Sequence, residues 1–109
     1  MPLPKGNIPN PGAFGPYGLR PDGSKKGQGW LGPLKTKKGN LMTELSVESD
    51  FEGKPLLFPL VVPTLDPDEI AWLLENEDVE PSKIPNNIMD KAYRHAIFRV
   101  KQGLSPFKD

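Results

Sequence analysis

Few residues of this chain have the types and spacing that chemistry needs, and each of those has a structural alternative. His95 is the one histidine, and there is no cysteine. A general base needs a nucleophile or an orienting carboxylate nearby, and a metal ligand needs further ligands. The sequence around His95 supplies neither, so it reads as a helix-surface or core-flanking residue. Glu44, Glu48 and Asp50 fall at even spacing, which puts them on one face of a strand, where two of them could form a glycosidase-like carboxylate pair. The same pattern is the wet face of any soluble hairpin. Asp66, Asp68 and Glu69 lack the order and the glycine of a calcium loop, and helix capping accounts for them. Lys25-Lys-Gly-Gln-Gly29 is glycine-rich, but it has neither the spacing nor the Lys-Ser/Thr pair of a phosphate loop. Lys25, Lys26, Lys35, Lys37 and Lys38, with Trp30 among them, are the material of a nucleic-acid patch. Zero net charge and an acidic middle weigh against that use. The residues therefore point to no catalytic group, no metal site and no cofactor.

The charges are sorted along the 109 residues. Residues 1–40 carry seven basic and one acidic side chain (net +6), 41–80 one basic and eleven acidic (net −10), and 81–109 six basic and two acidic (net +4). Such blocks suit a basic segment lying against an acidic surface, in the same chain, in a neighbouring copy or in another protein. The absence of cysteine removes disulfides and thiolate metal sites, and small secreted domains more often rely on disulfides. An intracellular or particle-bound setting is expected. The N-terminus shows no apolar signal core, and no stretch approaches the roughly 18 apolar residues of a membrane span, so neither a signal peptide nor a membrane anchor is expected.

The elements that must position these residues come from periodicity and turn chemistry. Pro2, Pro4, Pro9, Pro11, Pro16 and Pro21, with frequent Gly, leave residues 1–24 without helix or sheet. The isolated apolar residues Leu3, Ile8, Phe14 and Tyr17 then read as anchors on an extended docking arm, with Trp30 as a further partner-binding anchor that also covers the core. Residues 25–109 form a small domain. Trp30-Leu-Gly-Pro-Leu34 is a short edge strand, because Pro33 cannot donate to a ladder. After a turn at Lys37-Lys-Gly-Asn40, Leu41–Phe51 alternates as a strand with Leu41, Thr43, Leu45, Val47 and Phe51 inward. Glu52-Gly53 closes a second hairpin, and Lys54–Val62 follows with both faces apolar and Pro59 marking an edge, bulge or break.

Asp66-Pro-Asp-Glu69 opens a helix running to about Glu75, with Asp66 as cap, Pro67 at its first position and Glu69 as capping-box acid. A second helix starts near Ile84-Pro85-Asn86 and ends at Gly103, with Met89, Ala92, Tyr93, Ala96 and Val100 on its apolar face. Phe107 is placed to clip back onto the core. The fold class is α+β: a three-stranded antiparallel meander packed by two helices, with an extended Pro/Gly-rich N-terminal arm.

Several phrases resemble a known module. They are Arg20-Pro-Asp-Gly-Ser24, Lys26-Gly-Gln-Gly-Trp-Leu-Gly-Pro-Leu34, Met42-Thr-Glu-Leu-Ser46, Pro59-Leu-Val-Val-Pro-Thr-Leu65 before Asp-Pro-Asp-Glu-Ile70, Lys91-Ala-Tyr-Arg-His-Ala96 and Gly103-Leu-Ser-Pro-Phe107. Together they are similar to a module of tailed bacteriophages that occurs both as small open reading frames and inside large virion proteins. The resemblance spans about residues 20–107, and Pro59-Leu-Val-Val62 stands where the module more usually reads Pro-Thr/Ser-Leu-Val. It implies a non-enzymatic structural protein of the virion, present in symmetric multiple copies and bound to portal, tail or capsid proteins. It would reside in the host cytoplasm during assembly and in the particle afterwards. A nucleic-acid-binding or ejected accessory protein, and a regulatory module of an envelope-acting enzyme, are the alternatives.

Overall fold

The computed structural model describes residues 17–108. The expected α+β class holds, but its strands form two separate hairpins rather than one three-stranded meander. The first pairs β1 (Leu34–Lys35) with β2 (Leu41–Met42), and the second pairs β3 (Ser46–Phe51) with β4 (Lys54–Pro59), each antiparallel. The single strand expected over Leu41–Phe51 is broken at Thr43–Leu45. Met42, Thr43 and Glu44 are consecutive and all buried, whereas Leu41 is 57% exposed. No strand can bury three successive side chains on one face. The chain bends there because Glu44 is drawn inward to a partner far away in sequence.

Both turns lie where the sequence places them. In the first, the Thr36 N–H donates to Asn40 O at 2.8 Å and the Gly39 N–H to Thr36 O at 2.9 Å. In the second, Glu52 and Gly53 take φ of 52° and 79°, the mirror-image turn whose twist matches a two-residue hairpin. Such a turn makes Phe51 and Lys54 a hydrogen-bonded pair, and bonded pairs then alternate along the ladder. Asp50↔Pro55 and Ser46↔Pro59 therefore fall at non-bonded positions. Both prolines sit where a missing donor faces outward instead of breaking the pairing.

The core lies between this second hairpin, the run that follows it and the second helix. Phe58, Leu60, Val61 and Val62 are at most 1% exposed, so from Phe58 onward both faces of the apolar run are covered within the chain, while Leu56 and Leu57 are half-buried. Helix α1 (Pro67–Glu75) begins at the capping box the sequence announces: Pro67 is at its start, and the Asp66 N–H donates to Glu69 Oε1 at 2.7 Å. Helix α2 (Asn86–Val100) packs on β4 through Ile88, Ala92 and Ala96, and Phe58 meets Tyr93 edge to face at 5.7 Å. Two small alanines on that stripe let the helix approach closely, and Ile88, one turn before Ala92, takes the buried position expected of its neighbour Met89, which is half-buried. Gly103, at φ 75°, closes the helix with Leu104 N–H on Arg99 O and Gly103 N–H on Val100 O, the paired C-terminal bonds that favour glycine there.

The first hairpin is clipped to the end of α1. The Lys37 N–H donates to Leu74 O at 3.0 Å, Thr36 Oγ1 and Asn40 Nδ2 donate to the Glu77 carboxylate, and Lys38 pairs with Asp78. Part of the charge sorting is thus resolved within the chain, basic loop on acidic connector.

Candidate functional site

Two clusters gather polar groups from distant parts of the sequence. One is a buried clasp. Arg20 donates through Nε to Glu44 Oε1 at 2.8 Å and through Nη2 to Oε2 at 2.7 Å, and the Gly27 N–H adds 3.1 Å to Oε2. The two side chains are 8% and 2% exposed. On its other side the guanidinium lies 4.0 Å from the centroid of the Phe107 ring, so Phe107 is buried as expected, but against the clasp and outside the main core cluster. Close packing beside the clasp fixes Gly29: at φ +74° a Cβ would come within 2.0 Å of Thr43 O. A planar guanidinium meeting a carboxylate through two parallel bonds is a strong, geometrically exacting contact. It also removes Glu44 from the expected acidic face, since Glu48 and Asp50 remain exposed on β3 while Glu44 is inside.

The second cluster is a groove of about 500 Å³ between Trp30, Thr64 and one side of α2. Trp30 forms its wall. The indole Nε1–H donates to Pro106 O at 3.3 Å, the His95 ring stands edge-on at 5.0 Å, and the Arg99 guanidinium lies 4.7 Å from the ring centroid. Arg99 is itself aimed by the chain end, donating through Nε to Ser105 O at 2.9 Å. Phe98 completes the apolar lining while 66% exposed, and Lys91 and Arg94 stand at the rim. Lys91 binds Glu69 Oε1 at 2.6 Å and Asp66 Oδ2 at 3.1 Å, and Arg94 pairs with Asp90 at 2.9 Å. Among the described residues, Arg99 is the groove cation without a carboxylate partner.

Two groups here titrate away from their ordinary values. Burial, and secondarily the charge of Arg99, hold His95 below the usual imidazole range, and its Nδ1 is buried without a hydrogen-bond partner among the described residues. Glu69 is held below the usual carboxylate range, first by the Asp66 N–H and then by the Lys91 ammonium. Asn87 Nδ2 also donates to Glu69 Oε2 at 2.6 Å. The acids of the α1 start therefore act as cap and cross-link between the two helices.

Of the expected partner-binding anchors, Leu3, Ile8 and Phe14 lie outside the described residues. Tyr17 is half-buried in a turn, and Trp30 is half-buried in the groove wall. What sequence reasoning missed is the groove's other side. Phe98 lies off the buried stripe of α2 and within four positions of both Arg94 and Arg99, and that misplaced aromatic is the signal that could have found it. Among the described residues, no group of three or more His, Asp or Glu side chains could hold a metal ion, and no helix is long and apolar enough to cross a membrane. No family model, curated protein or solved structure matches the chain.

Proposed function

We propose that this chain is a non-enzymatic structural component of a tailed-bacteriophage virion that docks on other head or tail proteins, its N-terminal residues serving as a strap. The observation that carries the reading is where the phrases shared with the phage module go in the fold. Arg20 and the Glu44 of Met42-Thr-Glu-Leu-Ser46 form the clasp, Trp30 and Pro106 are joined by a hydrogen bond, and Glu69 of Asp-Pro-Asp-Glu-Ile70 ties the helices through Lys91. A pattern of residues that hold a body together and leave a cation-rimmed aromatic groove open suits a protein whose work is attachment. A body this small offers little contact area, and an arm with several anchors adds some, at the entropic cost of ordering it.

Quantitative mass spectrometry of purified particles tests the reading. A copy number that is a small multiple of six or twelve puts the protein on the portal and tail axis, hundreds of copies put it on the capsid, and absence from particles overturns the proposal. Phe14→Ala with Tyr17→Ala is expected to leave the domain folded while lowering incorporation, and unchanged incorporation removes the arm's role.

A further inference from the structure

The groove beside Trp30 and the tip of the second hairpin have complementary chemistry. The tip reads Asp50-Phe51-Glu52. Asp50 and Glu52 are exposed, and neither carboxylate has a partner among the described residues. Phe51 is half-buried but does not pack against the hydrophobic core, unlike Val47 on the same face of β3. A spare aromatic between two unpaired acids is what a groove with an apolar lining and an Arg99 lacking a carboxylate would accept.

The same chain cannot bring the two together. Tyr93 on α2 donates its hydroxyl to Asp50 O at 2.9 Å, which fixes the hairpin on the Tyr93 side of the helix. At about 100° per residue, Lys91, Arg94, His95 and Phe98 centre roughly opposite Tyr93, with the buried stripe of Ala92 and Ala96 to one side. The tip and the groove therefore face away from each other across α2, and the occupant must come from another molecule.

We propose that the groove takes the Asp50-Phe51-Glu52 tip of a second copy of this chain, Phe51 entering between Trp30 and Phe98 while the flanking carboxylates meet Arg99 and Arg94. The contact is heterologous, head to tail, so it builds rings or rows rather than a two-fold dimer. It goes beyond the virion reading and does not depend on it. One tip in one groove is a small interface of the transient class, and it becomes firm only where a scaffold presents many copies together.

Sedimentation velocity on the full chain, up to about 1 mM at low salt, tests it. The weight-average mass is expected to rise with concentration and to fall back as salt screens the contact. Phe98→Ala, Arg94→Glu and the double variant Asp50→Lys/Glu52→Lys change exposed positions. Each is expected to weaken association about tenfold. Mixing Arg94→Glu with Asp50→Lys/Glu52→Lys restores it, because the unchanged tip of the first variant then meets the unchanged groove of the second. That recovery also shows that neither variant is misfolded. A chain that stays monomeric across the series overturns the proposal, as does association untouched by these variants or a mixture that fails to recover. A chain that assembles this way but is missing from particles sinks the virion reading and leaves the groove assignment standing.

Discussion

Glu44 and Glu69 are both buried carboxylates, 3% and 7% exposed, held in different ways. Glu69 is satisfied by the backbone N–H three residues before it and by two side chains from the neighbouring helix. Glu44 depends on Arg20, 24 positions earlier, and on the Gly27 N–H. One region closes first on its own helical turn and is then tied to the neighbouring helix. The other is a junction that exists only once distant segments have met, and it carries a full charge pair inside. The comparison teaches where this fold is vulnerable: the clasp has no local structure to fall back on, whereas the cap forms wherever α1 forms.

The sharpest way to break the comparison is to remove the carboxylate from the clasp. Glu44→Ala leaves the Arg20 charge in a buried setting and is expected to cost about 3 to 5 kcal/mol in urea unfolding. Arg20→Met with Glu44→Leu is expected to recover most of that, since a matched apolar pair needs no desolvation of charge. If the single variant is as stable as wild type, the clasp is ornamental.

Next in size is Gly29→Ala, which combines a positive φ with a clash on Thr43 O. A loss of about 2 kcal/mol is expected, read from the thermal midpoint. The same change at Gly53, also at positive φ but with open space around its Cβ position, should cost less, and equal losses would mean that packing beside the clasp does not matter.

The cap is probed by acid. Because the folded-state pKa of Glu69 is depressed, its contribution is present above the unfolded carboxylate pKa and is lost as pH falls through the folded value. Glu69→Gln should therefore flatten the acid limb of a stability profile measured from about pH 5 to pH 2. Parallel profiles for the two proteins would show that the cap adds nothing beyond α1 itself.

The smallest effect is expected at His95. Its depressed pKa makes the unfolded chain bind more protons just below the ordinary imidazole value, so stability rises with pH across that window and levels off above it. His95→Gln should remove this rise in thermal midpoints taken from about pH 5 to pH 7, and a rise that survives belongs to another group.

Legibility in the sequence follows the same division. Asp66-Pro-Asp-Glu69, Glu52-Gly53, Lys37-Lys-Gly-Asn40 and the Gly103 stop carry their signals within a few residues, and the structure has helix or turn at each. The long strand from Leu41 failed because alternation assigns Glu44 to the wet face, and only Arg20 explains why it turns inward. Nothing in the local pattern ties a turn residue at position 20 to a strand residue at 44. The groove is half legible: Trp30 reads as a coverer of the core, but its neighbours His95 and Arg99 come from a segment more than sixty positions away. The apolar stripe of α2 was readable in outline, and it also hid Phe98 by drawing attention to the inward face.

Pro55 and Pro59 have a consequence for crowding. Along the outer rim of β4 the alternating donors would belong to residues 55, 57 and 59, and two of these have no N–H. On the opposite rim the Tyr93 hydroxyl occupies the Asp50 carbonyl. A foreign strand laid along the β4 side finds two of its three donors missing, so that side of the hairpin is a poor seed for sheet growth. Copies brought together along that edge then touch through side chains while their backbones stay separate, and the hairpin resists fusing with its neighbours into one continuous sheet.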